Sequence, residues 1–91
     1  MSAATKNDLI KWFQKGVRNK QSHIIVVCDT YDYDDYPVYI NSLEEFEEEY
    51  KRVISHSSET IMEVYDLKMD MDSQMNEDRA FHYPKDFNHT I

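Results

Sequence analysis

The chain contains one cysteine, one glycine and two prolines in 91 residues. A single thiol excludes a disulfide framework and any zinc site built from several cysteines. The lone glycine excludes collagen-like repeats and a glycine-rich phosphate cradle, and so few glycines and prolines exclude a low-complexity linker. Long hydrophobic runs are missing as well: the longest, Ile24 to Cys28, falls far short of a membrane span. No apolar signal region opens the chain, so the expected location is the cytoplasm, with no membrane partner. Positive charge is scarce, with ten Lys and Arg against eighteen Asp and Glu for a net charge of −8.

Apolar residues make up 41% of the chain and aromatics 13%, too many core-formers for a disordered acidic tail. A chain of this length buries only roughly two thirds of its unfolded surface, so it holds one small core. The expected domain covers residues 1–84, with 85–91 as a loose C-terminal tail that Phe87 and Ile91 pin at most.

Thr5 and Asp8 stand at capping-box spacing, and Leu9, Ile10, Phe13 and Val17 follow at helical intervals, which predicts a helix from about Lys6 to Asn19. Gly16 inside it marks either close packing or an early loosening. His23 to Asp29 is β-branched and continuously apolar, the pattern of a central strand or one covered on both faces. Thr30 to Tyr36 is a polar, aromatic loop, and Pro37 opens a short edge strand through Ile40. Ser42 and Glu45 cap a second helix whose apolar stripe is Leu43, Phe46, Tyr50, Val53 and Ile54. Thr60 to Met69 follows as a strand with imperfect alternation, placing Ile61, Tyr65, Leu67 and Met69 on one face. Met71 and Met75 suggest a short helix, and Ala80 to Tyr83 an extended docking segment.

The order is helix, strand, strand, helix, strand, then a weak C-terminal element. The expected fold is α+β: a two-layer arrangement with a small, mainly antiparallel three-stranded sheet and both helices on one face. Crossover rules make the second and third strands parallel, with the first antiparallel between them if its apolar run means a central strand; the strand order itself stays open. An uncovered sheet face in a chain with seven tyrosines, five methionines and four phenylalanines leads to the expectation of a homodimer. Met62 and Val64, or Tyr65 and Leu67, are its expected contact residues.

Chemistry is densest from Cys28 to Tyr39, where Asp29, Asp32, Asp34 and Asp35 alternate with tyrosines. A calcium loop of the helix-loop-helix type needs a bend-forming glycine and a terminal Glu, and this segment has neither, so no metal is expected. Asp29 and Thr30 are read as turn-shaping residues and Cys28 as a small core residue without a base in reach. The four histidines, His23, His56, His82 and His89, lack zinc-site spacing. Nothing points to a cofactor or a catalytic residue. Residues 1–20 carry five Lys/Arg and one acid, so the remainder has a net charge of −12. Direct nucleic-acid binding is therefore disfavoured, and a protein with a basic surface is the more natural partner.

The segments Val26-Val27-Cys28-Asp29-Thr30, Asp34-Asp35-Tyr36-Pro37-Val38-Tyr39 and Arg79-Ala80-Phe81-His82-Tyr83 resemble small, uncharacterised acidic proteins encoded by phages and prophages. The likeness covers most of the chain and brings no assigned activity. It implies a cytoplasmic accessory protein of viral origin, a class that often inhibits host machinery or host defence. The leading expectation is thus a non-enzymatic inhibitor or adaptor that contacts a host protein through Tyr31, Asp32, Tyr33, Asp34, Asp35 and Tyr36. The second is a small-molecule or nucleotide binder with a pocket between copies of an oligomer, carried by Arg79, His82 and Tyr83.

Overall fold

Thr5 starts the first helix with both halves of the capping box. Its hydroxyl accepts the Asp8 N–H at 3.1 Å, and the Asp8 carboxylate accepts the Thr5 N–H at 3.0 Å. The structure is a computed structural model and describes residues 4–87; the expectations placed on His89 and Ile91 lie outside the described residues. Its elements are α1 (Lys6–Arg18), β1 (His23–Asp29), β2 (Asp34–Ile40), α2 (Leu43–Ile54), β3 (Glu59–Asp66) and α3 (Met71–Met75).

The sheet has the order β2-β1-β3, with β1 antiparallel to both neighbours and β2 and β3 therefore parallel to each other. Pro37 sits in the edge strand opposite Val26. The Leu67 N–H bonds the Ser22 carbonyl, so even-numbered residues of β1 aim their backbone groups at β3. Pro37 therefore turns its donorless nitrogen outward, where no ladder bond is lost. On the other edge, Ala80 to His82 docks beside β3: the Val64 N–H bonds the Ala80 carbonyl and the His82 N–H bonds the Val64 carbonyl.

The two helices do not share a face. Phe13 of α1 packs with Ile24, Val26, Tyr65, Leu67 and Ala80, joined by Met71 and Met75 of α3. Phe46 and Val53 of α2 pack with Ile25, Val27, Ile40, Val64 and Phe87. The result is three layers, α1 with α3, the sheet, and α2 with the C-terminal segment, in place of the two expected. The cause lies in β1, where Ile24 to Val27 are all buried because even and odd residues alike are apolar, and each side draws its own helix. Both faces being covered also removes the physical motive for the homodimer: Val64, Tyr65 and Leu67 are buried within the chain itself.

Three more expectations change. The β1–β2 loop is not long; the strands close to Asp29 opposite Asp34, leaving four residues, 30–33, as a hairpin turn. The pairing of β3 with β1 shifts between Val26 and Val27, a bulge at Met62. Ile61 therefore faces α2 while Tyr65 faces α1, so the two do not share a face. Phe87, assigned to the tail, is buried against Phe46 and Tyr50 with ring centroids 4.9 Å from each, so the packed body reaches at least to Phe87.

Gly16 marks close packing. A Cβ there would lie 2.6 Å from a Leu67 methyl and 3.4 Å from one of Ile24. The helix then ends with Lys20 at φ 60°, its N–H bonding the Val17 carbonyl while Gln21 bonds that of Gly16. This is a Schellman end in which lysine occupies the position glycine favours.

Candidate functional site

The hairpin tip is built from the end of β1 outward. Asp29 accepts the Tyr31 N–H at 2.9 Å, the turn-shaping role its residue type suggests. Thr30 anchors the tip to the α2–β3 connection, since its N–H and its hydroxyl both donate to the Ser58 carbonyl, at 2.7 and 2.9 Å. Tyr33 closes the turn at φ 58°, a left-handed conformation that costs a bulky residue about 1–2 kcal/mol. The side chains of this held turn go outward: Tyr31 is 84% exposed, Tyr33 70%, and Asp32 lies exposed between them.

The other three residues of the expected contact surface belong to β2 and diverge. Asp35 lies opposite Cys28 and accepts the Ala4 N–H at 2.8 Å on the α1 side, whereas Asp34 lies opposite Asp29 and alternates to the α2 side. Tyr36 is drawn inward. Its hydroxyl donates to Glu59, which also takes Arg52 Nη1 at 3.0 Å, while Arg52 Nε bonds Glu49 at 2.8 Å. Burial, with the Glu59 hydrogen bond next, pushes the Tyr36 phenol above its ordinary range. Ser58, Arg52 and Glu59 support the site from other elements, and nothing local to them in sequence announces it.

Cys28 is half-buried beneath this turn. Burial raises its thiol, and a hydrogen bond to Asp35 and the charges of Asp35, Asp29 and Asp34 add to the rise. A nucleophile needs the opposite environment. Among the described residues no three of His, Cys, Asp and Glu are grouped to hold a metal, and no pocket is present.

The second expected cluster does not converge. His82 turns to Glu77, with Nε2 2.6 Å from the carboxylate. Tyr83 stacks on Phe87 at 5.2 Å and meets Phe46 and Tyr50 edge-on, and Arg79 is exposed. Tyr83 is thus part of the aromatic core beneath α2, and only its neighbours face outward.

Charge is divided across the sheet. Lys6, Lys11, Lys15 and Arg18 are exposed on α1, with Lys15 Nζ 5.7 Å from the centre of the Tyr39 ring, while α2 on the opposite face exposes Glu44 and Glu48. No described helix is long and apolar enough to cross a membrane. No family model matches the chain, and neither curated proteins nor solved structures yield a match.

Proposed function

We propose that this chain is a non-enzymatic interaction protein that docks its β1–β2 hairpin tip on a basic surface of another protein. The observation that carries this reading is the exposure of Tyr31 and Tyr33 on a turn that hydrogen bonds hold in place. Two phenol rings in water, one of them in a strained backbone, do nothing for the core. Against a partner they supply rigid amphipathic area at little entropic cost. Asp32 between them, with Asp29 and Asp34 behind, favours cationic partners and speeds encounter with them. The resemblance to phage-encoded accessory proteins supports a host protein as the target and the host cytoplasm as the place of action.

The test is to use the wild type and a Tyr31→Ser/Tyr33→Ser variant as parallel baits in a host extract, with retention followed as salt is raised. The reading requires a protein that the wild type retains, the variant loses and salt releases. Equal retention by the two baits removes the tip from the interface. Light scattering on the free chain is expected to give a particle of 11.0 kDa, since neither sheet face needs a second copy.

A further inference from the structure

At the end of the sheet away from the hairpin, His23 is buried at 9% exposure, and its ring packs edge-on against Phe46 of α2 at 6.1 Å. Nδ1 lies 3.0 Å from the Ser22 hydroxyl, which donates to the Ile40 carbonyl at 3.1 Å. Nε2 is sealed from solvent without a hydrogen-bond partner. The carboxylate of Asp66 stands 3.7 Å from it, beyond hydrogen-bond reach. With its one proton given to Ile40, the Ser22 hydroxyl can only accept from Nδ1–H, which leaves Nε2 as a bare acceptor with no donor in reach.

Hydroxyl, imidazole and carboxylate in this order suggest a hydrolytic triad. The imidazole–carboxylate gap is too long, however, the hydroxyl proton is engaged by Ile40, and no pocket among the described residues would seat a substrate. What remains is an orphaned basic nitrogen facing a carboxylate inside the fold, a place where a proton changes the energetics sharply.

We propose that His23 makes this fold acid-sensitive, proton uptake at Nε2 loosening the seam where β1, the end of β3 and α2 meet. From β3 the ring faces Asp66, which favours the charged form, and from just beyond β3 it feels Lys68, which opposes it. From β2 it meets Ile40 and from α2 Phe46, neither of them charged. Burial outweighs the Asp66 attraction and holds the imidazole below its ordinary value of 6.5. The folded chain therefore keeps His23 neutral where the unfolded chain takes up a proton, and stability falls as pH drops through the ordinary imidazole range. Hydrogen bonds at the starts of α1 and α3 hold the Asp8 and Asp70 carboxyls below the ordinary carboxylate value, so their contribution is lost in a separate, more acid window. The disturbance has a route to α3, because Gln74 grips the backbone N–H and carbonyl of the same Asp66 at 2.8 and 2.9 Å.

Urea unfolding at pH 7.5 and pH 5 tests the proposal on the full chain. The folding constant of the wild type should fall several-fold between the two, at most about thirtyfold for one imidazole. His23→Phe keeps a ring against Phe46 and should lose most of that fall, whereas His56→Gln/His82→Gln should keep it. A fall that survives His23→Phe, or vanishes in the double variant, overturns the proposal. If His23→Phe does not fold, the NMR titration of the His23 ring in the wild type decides. A midpoint below that of an exposed histidine upholds the proposal, and one at or above it overturns it.

Discussion

The two ends of the sheet solve opposite problems. At the hairpin end, Asp29, Thr30 and Ser58 spend their hydrogen bonds on fixing a turn whose aromatic side chains remain in water. At the other end, polar groups are drawn in and used to close the fold: Gln74 is 1% exposed and bonds Asp66 N–H, Asp66 C=O and Asp70 C=O. Both ends carry carboxylates, yet at the tip Asp32 stays exposed beyond a turn that Asp29 holds, while at the seam Asp66 and Asp70 accept backbone N–H groups of Lys68 and Ser73. The lesson is that residue type does not assign a role here; what assigns it is whether the polar side chain is buried against backbone groups that need a partner, as Gln74 is, or lies outside a turn whose backbone is already bonded, as Asp32 does.

The sharpest way to break the comparison is at Gln74. Replacing it with Ala strands the Asp66 N–H, leaves the Asp66 carbonyl with the Met69 N–H alone and empties a buried side-chain site between α3 and β3, at an expected cost of about 3 kcal/mol. Urea unfolding should register that loss, while Tyr31→Ala and Asp32→Ala at the tip should change the unfolding free energy by no more than about 0.5 kcal/mol. Next in size is Gly16→Val. A branched side chain pressed against the Leu67 methyl should cost about 2 kcal/mol even though valine is the better helix former. A neutral result at Gly16 would mean that Leu67 has room to turn away.

Much of this was legible along the chain because its signals were local. The capping box of α1, the Ser42 cap of α2, the apolar stripes of both helices, the continuous run of β1 and the outward proline in β2 each place an element without help from elsewhere, although Glu45 turns its carboxylate to the Asn41 N–H and so does not complete the box expected at Ser42. Crossover logic then supplied the parallel direction of β2 and β3, and the central place of β1 followed only if its continuous apolar run was read as centrality. The layer count was not legible, because Ile24 to Val27 offer two equally apolar faces and composition alone cannot say that each is taken. The bulge at Met62 hid behind imperfect alternation in β3, and the role of Tyr36 depended on Arg52 and Glu59, far away in sequence. At the site, Tyr31, Asp32 and Tyr33 were readable as a polar aromatic turn. His23 was visible only as one of four scattered histidines, since an unpaired Nε2 is a property of packing and not of pattern.

The smallest expected effect sharpens the comparison most, because it separates strain kept for contact from strain that is merely tolerated. Tyr33 and Lys20 both hold positive φ, at 58° and 60°, and glycine relieves each of them. Glycine also raises the entropy of the unfolded chain, so the net gain from Tyr33→Gly or Lys20→Gly should be only about 0.5–1 kcal/mol. Their stabilities should rise together, measured by urea unfolding, but their binding should part company. Lys20→Gly acts at the end of α1 and should leave retention of the partner unchanged. Tyr33→Gly removes one of the two exposed rings and should weaken it, leaving a more stable and less functional protein. If Tyr33→Gly gains stability and binds as well as the wild type, the left-handed tyrosine is an accident of the turn, and Tyr31 with Asp32 must carry the contact alone.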